Sequence, residues 1–267
     1  MPDTHRIPPG QSALLVDMST RGRDFHDSRK EAEREFESLR EELMELQNRL
    51  YAEGQRSLLI VLQAMDAGGK DSTIRRVFRG VNPQGVHVAS FKVPSESELQ
   101  HDFLWRIHRE VPRKGMIGIF NRSHYEDVLV ARVEHLVPKG EWERRYDHIN
   151  QFEKLLADSG TTILKFLLHI SKDEQHERFE ERLSHPEKHW KFSPQDIEKR
   201  QHWDGYMEAY DDVLSRCNTE WGPWHVIPAD QKWYRNLAIS RTIVHTLREM
   251  DPQYPQPVEG IEEYRID

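Results

Sequence analysis

Three groups of residues in this chain have types and spacings that suit chemistry. The first is Ala64-Met65-Asp66-Ala67-Gly68-Gly69-Lys70-Asp71, which follows the apolar run Leu58 to Leu62 and leads into a stretch of helical character. Strand, phosphate-sized turn, lysine and helix make the layout of a P-loop. Backbone N–H groups of such a turn and of the helix start converge on one spot that suits an anionic phosphate. Lys70 adds a point charge to that spot. Against the pattern G-x-x-x-x-G-K-[ST] two positions depart: Ala64 stands for the first glycine, and Asp71 for the hydroxyl that binds Mg²⁺. Gly68 and Gly69 still permit the tight turn, and Asp66 can supply the missing metal oxygen. The competing reading is a Gly-rich turn with an exposed lysine; the strand and helix on either side favour phosphate.

The second group is Phe120-Asn121-Arg122-Ser123-His124-Tyr125-Glu126-Asp127, directly after the short apolar stretch Met116 to Phe120. Ligands of open α/β sheets gather outside the carboxyl ends of the strands. Arg122 can there neutralise a transferring phosphate, and Asp127 or Glu126 can hold Mg²⁺. The same residues also read as a helix start, with Ser123 as N-cap and Glu126 as its partner, and both readings can hold together. The third group is Arg178 and Arg182, one helical turn apart, followed by His185-Pro186-Glu187-Lys188-His189-Trp190-Lys191-Phe192. Arginines at that spacing share a helix face and can clamp phosphates, and a basic flap beside them can close over the reacting groups and exclude water. A solvated charged helix with a loop accounts for the third group equally well. His185 and His189 have helical spacing, but Pro186 and the lack of a nearby third ligand argue against zinc. Arg75, Arg76, Arg79, Lys92, Arg122, Arg178, Arg182, Lys188 and Lys191 would form a positive channel if the fold makes them converge.

The elements that must position these groups alternate. Residues 1–27 read as an irregular arm, rich in Pro, Gly and polar residues. From Ser28, Ala32, Phe36, Leu39, Leu43, Leu46 and Leu50 recur at spacings of four and three, an amphipathic helix ended by Gly54. Its narrow stripe can pack on the core or on a second subunit, and core packing is favoured. A β-like run spans Val86 to Val93, and Ser95 with Glu98 forms a capping box opening a helix through Arg109. Strands are expected at Met116–Phe120, Thr161–Ile170 and Trp224–Ile227, and helices at Glu141–Ala157, Ser171–Leu183 and Trp233–Met250. The continuous apolar run Thr161–Ile170 suits a parallel strand buried on both faces. The fold class is therefore α/β, a mostly parallel sheet covered on both faces, in one domain over 28–250 with a lid about 178–200 and an irregular tail over 251–267.

The 267 residues are 36% hydrophobic with seven Trp, enough for a real core, and 31% charged. The net charge of −8 argues against broad nucleic-acid or membrane-surface binding, so a polyanionic ligand would need locally focused basic residues. No stretch reaches the roughly 18 to 20 apolar residues of a membrane span, and the first residues lack a signal-peptide core. The single cysteine, Cys217, fits a reducing cytoplasm.

In these residues the chain resembles the polyphosphate kinase 2 family. The likeness lies in LYAEGQRSLLIVLQAMDAGGKDSTIR (Leu50–Arg75), FNRSHYEDVLVARV (Phe120–Val133), HPEKHWKFSPQD (His185–Asp196) and PADQKWYRN (Pro228–Asn236), and it runs from about Leu50 to Pro257. The second block is most like the class III members, which act on nucleoside mono- and diphosphates. The resemblance implies a three-layer α/β/α P-loop kinase fold with a helical lid. It implies Mg²⁺-dependent, reversible transfer of the terminal phosphoryl group of inorganic polyphosphate to AMP or ADP, with Mn²⁺ as a substitute metal. Asp66 and Asp127 would position the metal, Lys70 would contact phosphates, and Arg122 and Arg182 would stabilise the transferred group. Ala67, Gly68, Gly69, Asp71, Ser72, Arg75, Arg178, Lys188 and Lys191 would bind the phosphate chain, and Asn121, Tyr125 and Glu126 the nucleotide, adenine first and guanine second. A homo-oligomer, dimer or tetramer, is expected. An ATP-dependent nucleoside or nucleotide kinase of the same fold is the rival reading, and a non-catalytic P-loop binding protein the second.

Overall fold

The computed structural model describes residues 4–11 and 13–266. Five parallel strands form one sheet in the order β2-β3-β1-β4-β5: β1 (Ser57–Gln63), β2 (Val86–Ser90), β3 (Ile117–Asn121), β4 (Thr161–His169) and β5 (Trp224–Pro228). Every residue of β1 is buried, as is β4 apart from Thr162, the pattern of central strands covered on both faces. The α/β class and parallel sheet expected from the sequence are thus present.

Helix α1 (Arg29–Glu53) starts where Ser28 caps the Glu31 N–H and ends at Gly54 in the left-handed conformation. Its apolar stripe, Ala32, Phe36, Leu43, Leu46 and Leu50, is buried, and α1 lies against the last helix, Lys232–Met250. Arg241 of that helix grips Glu35 through two hydrogen bonds of 2.6 Å. The stripe is therefore spent on the core. Helix α2 (Lys70–Val77) follows β1 and packs on the same last helix. The expected helix through Arg109 is instead two single turns, α3 (Glu96–Leu99) and α4 (Trp105–His108). The capping box of Ser95 and Glu98 opens the first, and Asp102, accepting the Leu104 N–H, restarts the chain before the second. The strand expected to reach Val93 stops at Ser90, where Phe91 turns onto the Phe120 ring.

After β3 come the short α5 (Val130–Val133) and the long α6 (Lys139–Asp158), which packs on β4. Then follow α7 (Lys172–Ser184), a 3₁₀ turn (Pro186–Lys191), α8 (Pro194–Gln201) and α9 (Trp203–Arg216), with α10 (Lys232–Met250) closing the fold. The step from β1 to β2 runs one way along the sheet, and those from β3 to β4 and β4 to β5 the other. Right-handed crossovers then put α2 on one face, with α1 and α10, and α6 with α9 on the other. Because neighbours β1 and β3 send their connections to opposite faces, a crevice opens beyond their carboxyl ends, where ligands of such sheets bind. The first and second groups singled out above leave the sheet there.

The arm is irregular apart from two 3₁₀ turns, yet it docks. Ile7 N–H donates to Trp224 O and Val226 N–H to His5 O, both at 2.9 Å, so the arm bridges the outer edge of β5. Among the described residues no helix is long and apolar enough to cross a membrane.

Candidate active site

The loop after β1 is built around backbone that side chains resist. Ala67 has φ +60° and Gly69 φ +101°, both left-handed. At Gly69 a Cβ would lie 2.0 Å from Arg235 Nη1, and at Gly68 a Cβ would lie 2.5 Å from the Ala64 Cβ. Glycine is the residue without that atom. The result is a tight turn ending in the N-terminus of α2, whose first N–H groups face the crevice. Lys70 is not an exposed lysine: its side chain is 8% exposed, and its Nζ donates to Ala64 O at 2.9 Å. Burial and the neighbouring Arg122 cation hold it down to about 8, against the pull of Asp66.

Opposite stands the turn after β3. Arg122 N–H donates to Leu62 O, tying the turn to β1, and Arg122 itself has φ +63°. Strained non-glycine backbone of this kind costs about 1–3 kcal/mol and persists only where the surroundings hold it. The Arg122 guanidinium donates to Asp66 Oδ1 at 2.5 Å and to Glu126 Oε2 at 2.9 Å. Glu126 first, and Asp66 with it, raise the affinity of Arg122 for its proton. For Asp66, burial works upward, but Arg122 and Lys70 outweigh it and leave the carboxyl below its usual range. Asp127 is shifted upward, because burial outweighs its two arginines. Arg145 Nη1 donates to its Oδ1 at 3.1 Å, and Arg106 Nη2 lies 3.7 Å from its Oδ2, which makes no hydrogen bond. Asn121 Nδ2 bonds Asp71 Oδ1 at 2.6 Å, joining the two loops.

Arg178, Arg182, Lys188 and Lys191 of the third group line the same cleft. Arg182 donates to Asp196 Oδ2 at 3.0 Å, and Lys188 to Glu181 Oε1 at 2.6 Å. Arg178 is placed differently from a free phosphate clamp. Its Nε donates to Glu174, its Nη1 to Ala67 O at 2.8 Å and its Nη2 to Ala229 O at 2.7 Å. Gln175 adds a bond to Asp66 O. The base of α7 is thereby stapled to the phosphate loop.

One cleft of about 1860 Å³ collects these groups. Asp66, Ala67, Gly68, Gly69, Lys70, Asp71, Ser72, Arg75, Asn121, Arg122, Glu126, Asp127, Arg178, Arg182, Lys188 and Lys191 all line it, and so do Arg76, Arg79 and Lys92. The basic residues therefore converge: sixteen Arg and Lys line the cleft against eight Asp and Glu, on a chain of net charge −8. Such a cleft focuses a positive potential that the whole-chain charge conceals. Tyr125 does not join the lining residues. Its side chain is fully buried and bonds Glu153 and Lys165 in the core, so it does not reach a nucleotide in the cleft. The 3₁₀ geometry of His124–Asp127 turns His124 and Tyr125 inward and leaves Glu126 and Asp127 on the cleft side.

Four arginines that line the cleft, Arg29, Arg106, Arg145 and Arg235, carry no mark in the sequence. Arg106 and Arg145 come from α4 and α6, far along the chain, and nothing local marks them. Arg235 stands inside PADQKWYRN, where no local pattern assigns it a role. It is 1% exposed, donates to Ser72 Oγ at 3.1 Å, and its Nη1 finds no hydrogen-bond partner beside Gly69. Burial first, and then Arg178, pull its guanidinium down to about 9.

Fold and cleft together define a class: a phosphotransferase of the α/β kinase type, which positions phosphates on a loop and neutralises them from above. A profile of the polyphosphate kinase 2 family matches residues 26–255, and the chain belongs to that family. It is 59% identical over 229 residues to the AMP/ADP-polyphosphate phosphotransferase of Meiothermus ruber, covering 86% of each chain. It is 44% identical over 263 residues to the ADP-polyphosphate phosphotransferase of Rhodopseudomonas palustris, covering 94% of this chain and 91% of that one. The crystal structure of polyphosphate kinase 2 from Arthrobacter aurescens TC1 superposes with a TM-score of 0.93 at 40% identity, covering 98% of this chain and 94% of that one.

Proposed function

We propose that the protein transfers the terminal phosphoryl group of inorganic polyphosphate to AMP and to ADP, reversibly and without a covalent enzyme intermediate. The observation that carries this reading is the charge of the cleft: sixteen cationic side chains line it, more than a single nucleotide triphosphate needs, on an otherwise acidic protein. A linear polyanion matches such a groove along its length, as nucleic-acid backbones match basic channels. The acceptor is already a nucleophile, because its terminal phosphate oxygen is anionic. Rate then comes from alignment and from neutralising the equatorial oxygens of the transferring group. The N–H groups of the 67–70 turn and Lys70 hold the donor phosphates, Arg122 stands beside the transferring group, and the α7–α8 lid brings Arg182, Lys188 and Lys191 down on the chain.

Asp66 and Asp127 would hold Mg²⁺, with Mn²⁺ as a substitute. The fit rests on the Asp127 Oδ2, a buried carboxylate oxygen without a hydrogen bond, and on the hard oxygen donors of both residues. Among the described residues no three His, Cys, Asp or Glu gather as a ready-made site. Mg²⁺ needs only one or two carboxylates when substrate phosphates complete its shell. Bound there by Asp66 and Asp127, a divalent ion would supply positive charge that offsets the charge of the reacting phosphates. Glu126 and Asn121 lie on the acceptor side. The cytoplasm is the proposed compartment, where nucleotides and a lone buried thiol both belong.

Purified protein given AMP, Mg²⁺ and polyphosphate, with no ATP, tests the reading. ADP is expected to form; product only when ATP is supplied would favour an ATP-dependent nucleotide kinase. Lys70→Ala is expected to abolish turnover in the same assay, and a wild type inert with either donor would favour a binding protein.

A further inference from the structure

Beneath the Arg122–Asp127 turn lies a charged cluster that the chemistry above does not use. Glu153 of α6 and Lys165 of β4 are both fully buried, and Lys165 Nζ donates to Glu153 Oε2 at 2.6 Å. The other two Lys165 protons go to Tyr125 Oη at 2.8 Å and Cys217 O at 2.7 Å, so its donor capacity is filled. Glu153 Oε1 accepts from Tyr125 Oη at 2.7 Å and from His124 Nε2 at 3.1 Å. The Lys165 ammonium also lies 5.3 Å from the Tyr125 ring centroid and 5.2 Å from that of Trp224.

A buried ion pair is weak evidence for stability, because desolvating two charges offsets most of their attraction and apolar replacements often stabilise. What such a pair supplies is a fixed set of directions. Here the directions end on His124 and Tyr125, the two inward residues of a four-residue turn whose other two, Glu126 and Asp127, face the cleft. Arg122, at the head of the same turn, sits at a strained φ of +63°. A strained turn that carries one arginine and two carboxylates needs a rigid anchor on its reverse side. Ser123 adds to it, its Oγ accepting from Gln63 Nε2 and from the Tyr125 N–H, both at 3.2 Å.

We propose that Glu153 and Lys165 are positioning residues that act through Tyr125 and His124. They lock the register of the turn so that Arg122, Glu126 and Asp127 meet the phosphates at a fixed geometry. The inference rests on the proposed phosphotransfer reading and deepens it. Substrate binding draws on many cleft cations and survives a small shift of the turn; the reacting alignment does not. Loss of the anchor therefore lowers kcat while leaving both Michaelis constants nearly unchanged.

The test is steady-state kinetics of Tyr125→Phe, Lys165→Met, Glu153→Gln and the double variant Glu153→Gln/Lys165→Met, each with a melting curve. Tyr125→Phe keeps the ring and removes only the hydroxyl that joins the turn to the pair. It is expected to lower kcat roughly 10- to 100-fold, the range a small misplacement produces, with KM for polyphosphate and AMP within about twofold of wild type. Lys165→Met leaves Glu153 charged and buried without its partner, so it loses both Tm and kcat. The double variant removes both charges but keeps a side chain that accepts from Tyr125 and His124, and it is expected to recover at least tenfold in kcat over Lys165→Met. Wild-type kcat in Tyr125→Phe would overturn the proposal, as would variants whose kcat merely follows the fraction folded. These outcomes are read against an active wild type, so a wild type inert with polyphosphate would instead refute the parent reading.

Discussion

Replacing Gly69 by alanine puts a methyl group where the structure has no room for one. The position has φ +101°, and the new Cβ would fall 2.0 Å from Arg235 Nη1. A left-handed backbone with a side chain costs about 1–2 kcal/mol. Arg235 cannot step aside cheaply, because it is buried and tied to Ser72 Oγ and Asn236 Oδ1. Breaking one such bond inside the protein costs about 1–3 kcal/mol. Together these terms amount to about 3 kcal/mol, and relaxing them means moving the loop away from the phosphate. At about 1.4 kcal/mol per tenfold in rate, kcat/KM for polyphosphate falls by about 100-fold. The assay is the ATP-free formation of ADP from AMP at limiting polyphosphate, beside a melting curve. Gly10→Ala is the control: Gly10 has φ +76° but nothing within 4 Å of its added Cβ, so it carries the backbone strain alone. That variant loses about 1 kcal/mol of stability and keeps kcat/KM within about twofold. A Gly69→Ala enzyme within threefold of wild type would refute the idea that this turn and Arg235 form one rigid phosphate cradle.

Lys70 is held down to about 8 by burial and by Arg122, so its cation is present below that pH and is lost as pH rises through it. KM for polyphosphate is expected to be flat below about pH 7 and to climb above about pH 8, while Lys70→Arg, always charged, flattens the climb; an unchanged KM in wild type across that range contradicts it. Lys188→Ala with Lys191→Ala is expected to raise the polyphosphate KM more than the nucleotide KM, since both line the cleft; equal effects on the two would remove these lysines from polyphosphate binding. Raising salt from about 50 to 200 mM should weaken polyphosphate binding by an order of magnitude or more if several phosphates are neutralised at once, which titration calorimetry at fixed Mg²⁺ reads directly; a salt-independent affinity would speak against a threaded polyanion.

The elements that carry the site were legible because local physics sets them. The apolar run before Ala64, the Ser28 and Ser95 caps and Gly54 each act within a few residues, and the structure places them as their chemistry requires. The basic residues could be named from sequence but not brought together, since convergence depends on a strand order in which β1 lies between β3 and β4. Tyr125 departs from its expected place at the nucleotide for a related reason. A 3₁₀ turn alternates its side chains differently from the helix start the spacing suggested, and its inward partners, Glu153 and Lys165, lie 28 and 40 residues away. Arg178 reads as a phosphate clamp from its i, i+4 neighbour, yet its donors are claimed by the carbonyls of Ala67 and Ala229, contacts that only the packing of α7 on the loop reveals. Arg235 is the converse, a buried cation whose value comes from the glycine opposite it.

The most direct measurement is phosphorus NMR of the purified protein with polyphosphate, Mg²⁺ and AMP in the absence of ATP. The account predicts that ADP and then ATP resonances grow at the rate at which polyphosphate phosphorus is consumed, with no equivalent release of inorganic phosphate. A spectrum in which polyphosphate and AMP both stay intact, with AMP phosphorylated only in a second sample supplied with ATP, would contradict it.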